Sequence, residues 1–404
     1  MMVTATTSTA NVSELTPQSK SPLRLLIVAS SAVPGGMEEI VFNLALSLPG
    51  AGVNTEVISL APGPLVHRLE TCGIAVRVLQ AGRLRNVHRA IATSRALGRA
   101  LAQGGFDAVF SNMPKAHLYT AIPARRHGVA ALWCQAGLPE HPHWMDRLAC
   151  ALPADAVIAL SRDAVKAQQR LNAGCPVHML HPGVDLARYT VRSDTELRRA
   201  AGVPTDAPLI SLVGRLQPWK GQREFLRAAA LVARSHPTAR FAIVGGAILG
   251  WEGDYPHELK RLAVSLGIDE QVIFTGHTED VPRWLAASDI VVNASDPEPF
   301  GLVVIEAMAA GCAVVALATG GPRDIIEDGR TGVLCRGRSP EELAAPIDRL
   351  IENPMLRVGI GAAARERIAR HFSRERTAES FARIVRRAVD SRASPRRSAN
   401  IGPT

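Results

Sequence analysis

Short, continuously apolar runs alternate with amphipathic stretches along most of this chain, and they do so in two successive series, which is what most restricts the folds open to it. The first series holds Leu23–Ser30 (LRLLIVAS), Thr55–Leu60, Ala75–Leu79, Asp107–Ser111, Ala130–Cys134, Ala156–Leu160 and Val177–Leu180. The second holds Leu209–Val213, Arg240–Val244, Val272–Phe274, Ile290–Ala294, Ala313–Ala316 and Gly332–Leu334. Runs that are apolar at every position suit strands covered on both faces, as in a parallel sheet with helices on either side. The pattern therefore predicts two doubly wound α/β units, of residues 23–190 and 191–372. A polar linker through Arg198 joins them, with a hinge near 190–200. A last helix is expected at about 373–390, returning to the first unit. Residues 1–22, rich in Thr and Ser, and the tail 391–404 are expected to be disordered.

The 46 Lys and Arg outweigh the 37 Asp and Glu, for a net charge of +9. Residues 1–190 carry 17 cations and 11 carboxylates, so most of the excess lies in the first unit. That balance suits an anionic partner: a nucleotide, a lipid head group or a nucleic acid. With 4% aromatic residues and no helix-turn-helix, zinc or RNA-binding signature, nucleic acid is set aside. No apolar run approaches the ~18–20 residues of a membrane-spanning helix, and no secretory signal precedes Leu23. The six cysteines are scattered, without CxxC or a Cys/His cluster, so a reducing, cytoplasmic setting is expected.

Three loops carry the chemistry. Val213-Gly214-Arg215-Leu216-Gln217-Pro218-Trp219-Lys220-Gly221 closes the first strand of the second unit and opens a helix at Gln222. Ligands of open α/β sheets bind at strand carboxyl ends. There Arg215 can grip a diphosphate bidentately while Lys220 supplies a point charge. Taken alone, the loop also reads as a turn with two solvated cations. The second loop, Ser295-Asp296-Pro297-Glu298-Pro299-Phe300-Gly301, leads into a helix from Leu302 to about Ala310. The free amides of its first turn form an anion site. Glu306 lies one turn on, placed for ribose hydroxyls, and Glu298 faces the group beyond the phosphate. The third, Ala318-Thr319-Gly320-Gly321-Pro322, is weak by itself but falls on the same sheet edge. In the first unit Gly35-Gly36 follows the first strand, without the GxGxxG fingerprint of a dehydrogenase.

ADAVIALS, HPGVD, VGRLQPWKG, EPFGLVVIE and AMAAGCAVVALATGGPRDIIEDGRTGVL, in this order, resemble the retaining glycosyltransferases of group 1, or family 4. The resemblance runs from about Leu25 to the last helix. It implies the GT-B fold, two Rossmann-like domains facing across a cleft, and a nucleotide-diphosphate sugar (UDP- or GDP-linked) as donor on the second domain. The acceptor, a saccharide or a lipid-linked molecule, is expected on the first. It also implies catalysis without a metal or other cofactor. Arg215 and Lys220 neutralise the leaving diphosphate and Glu298 holds the sugar. Glu306 binds ribose, and the amides of Phe300, Gly301, Leu302 and Val303 cradle sugar and phosphate. Gly214 and Thr278 complete the donor set, with Gly36 closing over the diphosphate from the other domain. A role in cell-surface polysaccharide or glycolipid assembly follows.

One position departs from the family. In Trp133-Cys134-Gln135-Ala136-Gly137, Ala136 stands where the family usually carries a His beside the donor sugar. Either the sugar does without that contact, or His141 or His143 fills the gap from the next loop. The segment Arg83–Arg99 carries Arg83, Arg85, Arg89, Arg95 and Arg99 with Leu84, Val87, Ile91 and Leu97. It reads as an amphipathic helix lying on its own sheet, or, by the resemblance, as a peripheral contact with the inner face of a membrane. Two rivals remain: a nucleotide-sugar 2-epimerase on the same architecture, and a degenerate member that binds sugar nucleotides without catalysis.

Overall fold

The computed structural model describes residues 22–82, 84–138, 143–171, 174–189, 194–247 and 253–393. The first unit has seven strands: β1 (Leu23–Ala29), β2 (Val53–Ser59), β3 (Val76–Val78), β4 (Ala108–Ser111), β5 (Ala130–Gln135), β6 (Ala156–Ala159) and β7 (Val177–Met179). All pair in parallel, in the order β3-β2-β1-β4-β5-β6-β7. Its helices are α1 (Gly36–Ser47), α2 (Pro64–Thr71), α3 (Val87–Gly104), α4 (Pro114–Arg126), α5 (Trp144–Ala151) and α6 (Arg162–Arg170). The second unit opens with α7 (Thr195–Ala200). It then alternates β8 (Leu209–Val213), α8 (Gln222–Ser235), β9 (Arg240–Val244), α9 (Tyr255–Ser265), β10 (Val272–Gly276), α10 (Val281–Ala287), β11 (Ile290–Asn293), α11 (Leu302–Ala309), β12 (Ala313–Leu317), α12 (Pro322–Ile325) and β13 (Val333–Cys335). Its sheet is also parallel, in the order β10-β9-β8-β11-β12-β13. The chain ends in α13 (Pro340–Glu352), α14 (Pro354–His371) and α15 (Arg374–Ala393).

Burial explains why the apolar runs became strands. Leu25 to Ala29 of β1 and Leu209 to Val213 of β8 are buried on both faces, each large side chain contributing about 1.5–3 kcal/mol. In each sheet the strand order reverses beside the first strand, so the crossovers toward either edge cover opposite faces. In the first unit α1 and α2 therefore lie on one face, and α3 to α6 on the other. Side-chain caps from Asn86, Ser161, Ser339 and Asn353 fix the starts of α3, α6, α13 and α14.

The chain crosses between the units twice, and the crossings lie side by side. The Val184 amide donates to the Phe372 carbonyl (2.9 Å), the Arg374 amide donates to the Val184 carbonyl (3.0 Å), and Arg374 pairs with Asp185 at 2.7 Å. The terminal helix α15 then packs on the first unit. Phe381 meets Phe110 edge-on at 4.8 Å, and the Arg386 guanidinium donates to the Ala51 carbonyl at 2.6 Å. The helix runs three residues beyond the expected Asp390. Residues 1–21 and 394–404 lie outside the described residues.

The polar stretch after HPGVD is not a linker as far as Arg198. From Thr195 it is α7, part of the second unit. Arg198 is buried, its guanidinium donating to the carbonyls of Ala287 (2.8 Å) and Ala207 and to Asp289 (3.2 Å). A cation bonded to two carbonyls and a carboxylate packs as an interior residue, which charge patterning cannot anticipate.

Candidate active site

The two sheets present their carboxyl ends to each other. The loops after β1, β5 and β6 meet the loops and helix starts after β8, β11 and β12, and this line of contact is the cleft.

On the second unit, the turn after β8 carries Gly214 and Arg215, then a tight helical turn over Pro218–Lys220. Gly221 follows at φ +77°, and a Cβ there would sit 2.2 Å from the Ala294 carbonyl oxygen. Only glycine lets this turn pass so close to the end of β11. Beneath it, the buried Gln222 amide donates to the Arg215 carbonyl (2.8 Å) and accepts from the Tyr255 hydroxyl (3.2 Å). The Lys220 ammonium lies 4.0 Å from the centre of the Trp219 ring and donates to Glu298 Oε2 at 2.8 Å. Asn293 donates to the same oxygen at 3.4 Å. Glu298 is buried, so lysine and glutamate, 78 residues apart, form one charged pair on the cleft floor.

The Gly320-Gly321 turn supports that loop from behind. A Cβ at Gly320 would lie 2.0 Å from the Glu298 carbonyl oxygen, and one at Gly321 would lie 2.0 Å from that of Phe300. The Gly321 amide donates to the Glu298 carbonyl at 3.1 Å. The third glycine loop thus fixes the path of Glu298 to Phe300.

Helix α11 begins at Gly301 with no side-chain cap, leaving the amides at its start open. Opposite, α1 begins at Gly35, also without a side-chain cap. Gly36 meets the Leu302 side chain at 3.2 Å from where its Cβ would be. Two uncapped helix N-termini, one from each unit, therefore face the same space beside Lys220 and Arg215, an arrangement suited to a diphosphate. Phe300 contributes backbone only: its ring is buried against His181 (5.9 Å between centres) and Phe372 (6.5 Å).

Glu306 sits at the far end of this line and is half-buried. Burial, with the nearby Glu39 carboxylate, pushes its carboxyl up to about 7, against the pull of a Tyr189 hydrogen bond and the Arg188 charge. Glu39 holds both Arg188 and Arg68 at 2.8 Å. The ribose candidate thus belongs to a charged group drawn from both units. Thr278 lies after β10, two strands from Arg215, and its hydroxyl accepts the Asp280 amide at 3.0 Å.

Several residues at the cleft were not legible in the sequence. Buried Glu38, in the first turn of α1, is raised by desolvation and drawn back by Ser31 and by the charge of Arg215 across the cleft. Its signal was the Glu38-Glu39 pair directly after Gly35-Gly36. Buried Asp324, at the start of α12, accepts the Arg162 amide (2.7 Å) and faces His181 Nε2 (3.4 Å), tying α6 and the HPGVD turn to the second unit. Burial raises its carboxyl, but the bonds from His181 and Arg162 hold it below the ordinary value.

At the departure from the family, Ala136 is half-buried at the end of β5, and Leu138 reaches across to within 3.3 Å of where a Cβ on Gly320 would lie. His143 is exposed and engaged at the start of α5. It caps α5, its Nδ1 accepting the Met145 amide at 3.4 Å. His141 lies outside the described residues. Among the described residues no three His, Cys, Asp or Glu side chains are grouped as metal ligands.

Two facing parallel-sheet units, with open helix starts and paired cations along the cleft between them, define a two-domain GT-B glycosyltransferase. Residues 34–188 match the model described as Glycosyltransferase Family 4, and residues 193–367 match Glycosyl transferases group 1. The D-inositol 3-phosphate glycosyltransferase of Frankia alni is 31% identical over 390 residues, covering 88% of this chain and 95% of its own. The enzyme of the same description from a Nocardioides species is 29% identical, covering 88% and 85%. Among solved structures, Anabaena HepE in complex with UDP-glucose aligns with a TM-score of 0.81 at 28% identity, over 90% of this chain and 100% of that one. The chain belongs to the group 1, family 4 glycosyltransferases.

Proposed function

We propose that this protein is a retaining, metal-independent transferase that moves a hexose from a UDP- or GDP-sugar to a hydroxyl of a saccharide or lipid-linked acceptor. The work would lie at the cytoplasmic side, in cell-surface polysaccharide or glycolipid assembly. The observation that carries the reading is the convergence of Lys220, Arg215 and the open N-termini of α1 and α11 around one space, with Glu298 at its edge. UDP is the favoured leaving group, because the HepE structures hold UDP and UDP-glucose.

In the proposed reaction the bond from the anomeric carbon to the β-phosphate oxygen breaks. Arg215, Lys220 and the α11 amides take up the charge that develops on the diphosphate. The acceptor oxygen bonds the same face of that carbon, and its proton passes to the departing phosphate oxygen. Glu298 positions the sugar rather than attacking it, since its carboxylate is already committed to Lys220 and Asn293. Glu306 receives the ribose once Tyr189 releases it. Product anomeric configuration by NMR, with and without chelator, tests this reading. Retention undiminished by chelator is expected; inversion, or loss of turnover restored by a divalent cation, overturns it.

A further inference from the structure

We propose that a cavity between α13 and α14, at the end of the second domain remote from the cleft, binds a small amphipathic carboxylate whose presence tightens donor binding. Helix α13 returns from the carboxyl end of β13, so its last turns and the first turns of α14 lie at the opposite end of the sheet. The space between them measures about 260 Å³ and is walled by Leu350 of α13 and by Leu356 and Ile360 of α14. Packed interiors leave few voids larger than a water molecule, so an apolar space of this size is a binding volume rather than a packing fault. It suits a ligand of about a dozen heavy atoms. Ala345 and Pro346 leave it unfilled: one side chain is a methyl group, and the other is a ring that also denies α13 an amide at that turn.

Charge selects the occupant. Arg349 lines the cavity, is exposed, and makes no ion pair with any described carboxylate. Neighbouring acids are engaged elsewhere. Asp348 faces His236 Nε2 at 3.4 Å, Glu327 is held by Arg330 and Arg367, and Asp328 accepts the Leu334 amide at 2.9 Å. Glu352, one turn from Arg349, does not reach it. The cavity also adjoins the first turn of α14, whose N-terminal end favours an anion. A carboxylate on an apolar tail satisfies the cation and the wall together, and an amine on the same tail does not.

Helix α14 carries the effect to the cleft. Beyond the cavity, Arg365 donates to the carbonyls of Tyr189 (2.8 Å) and of Ala309, the last residue of α11. Arg367 donates to the carbonyls of Ile325 (2.6 Å) and Asp324 (3.2 Å), and Asp324 holds the Arg162 amide of the first domain. The helix then leads into Phe372, whose carbonyl takes the Val184 amide at the crossing. The cavity is open while all these contacts are made, so an occupant adds stability to the arrangement in which the donor groups are assembled. This second half rests on the donor site proposed above; the cavity itself does not.

The test is calorimetric titration of the full chain with decanoate, and with decylamine as a cation of equal length, followed by UDP titration with and without decanoate. Saturable decanoate binding is expected, at least about tenfold tighter than that of decylamine and weakened at least about tenfold in Arg349→Glu and in Ala345→Trp. Saturating decanoate should tighten UDP binding about fivefold in the wild type and leave it unaltered in Arg349→Glu. Unchanged melting by circular dichroism, and unchanged UDP affinity without decanoate, mark Arg349→Glu as intact. Absence of saturable decanoate binding, equal binding by Arg349→Glu, or equal binding of decylamine overturns the site. Saturable binding that leaves UDP affinity unchanged overturns the coupling. The decanoate titrations read the cavity whether or not UDP binds, so failure of the donor site and failure of this one are told apart.

Discussion

The ammonium of Lys220 lies 2.8 Å from Oε2 of Glu298, joining the loop after β8 to the loop after β11 across 78 residues of sequence. Each ion is largely withdrawn from water, and together they set where a sugar diphosphate can lie. Removing one partner strands a buried charge, whereas removing both does not.

Lys220→Ala is therefore expected to lower kcat/KM for the donor about 10²–10³-fold, the scale of losing one preorganised charge at a leaving group. It should also cost about 3 kcal/mol of stability from the unpaired Glu298. The double variant with Glu298→Gln should regain part of that stability but none of the activity. Denaturant melts and kinetics on the three proteins check this; additive stability losses would contradict the pairing.

Gly221→Ala should destabilise the second domain by about 2–4 kcal/mol, since it adds a Cβ at positive φ against the Ala294 carbonyl. It should also raise KM for the donor, because the same turn carries Lys220. A melting temperature within a degree or two of wild type would show that the loop yields instead.

Glu306 gives a pH dependence of definite sign. Its folded carboxyl, at about 7, lies above its unfolded value, so its ionisation opposes folding. The fold is free of that penalty below the unfolded value and loses about 3 kcal/mol as pH rises to 7. Glu306→Gln should flatten this slope. Donor affinity should run the other way, rising through pH 7 as the carboxylate becomes available to ribose. Calorimetry across pH 5–8 on both proteins measures each trend, and identical profiles would remove Glu306 from either role.

Asp324→Asn tests the link between the units. The folded carboxyl is held low, so its contribution is present above the unfolded value and is lost as pH falls through the folded one. With Arg162 and His181 deprived of a carboxylate, the variant should lose about 1–3 kcal/mol and open more readily. Small-angle scattering should show a larger radius of gyration; unchanged dimensions together with unchanged kinetics would deny Asp324 this role.

Ala136→His restores the side chain usual in the family. If the missing contact limits turnover, the variant should be faster with a hexose donor bearing a free 6-hydroxyl and unaltered with a donor lacking it. Slower turnover with every donor would mean that Leu138 has taken over that wall of the site.

Much of this was legible in the sequence for a physical reason. Strands such as Leu209–Val213 are buried on both faces, and a parallel sheet covered by helices asks for such runs at regular spacing. The loops of Arg215 to Gly221 and Glu298 to Gly301 could be read because glycine, proline and charge sit together at strand ends. What escaped was contact between segments far apart in the chain. Glu39 meets Arg188 across 149 residues and Asp324 meets Arg162 across 162, and no local pattern encodes such partners. Arg198 misled for a related reason, its charge matched inside the fold by two carbonyls and Asp289.

The most direct test of the central claim is release of nucleoside diphosphate from a panel of UDP-, GDP- and ADP-sugars, with and without acceptor extract, with mass detection of donor and product. The account predicts acceptor-dependent release from one donor, most readily a UDP-sugar, that persists with chelator and is lost in Lys220→Ala. Conversion of a donor to its isomer without acceptor would make the protein an epimerase. Donor binding without turnover on any acceptor would leave it a binding protein.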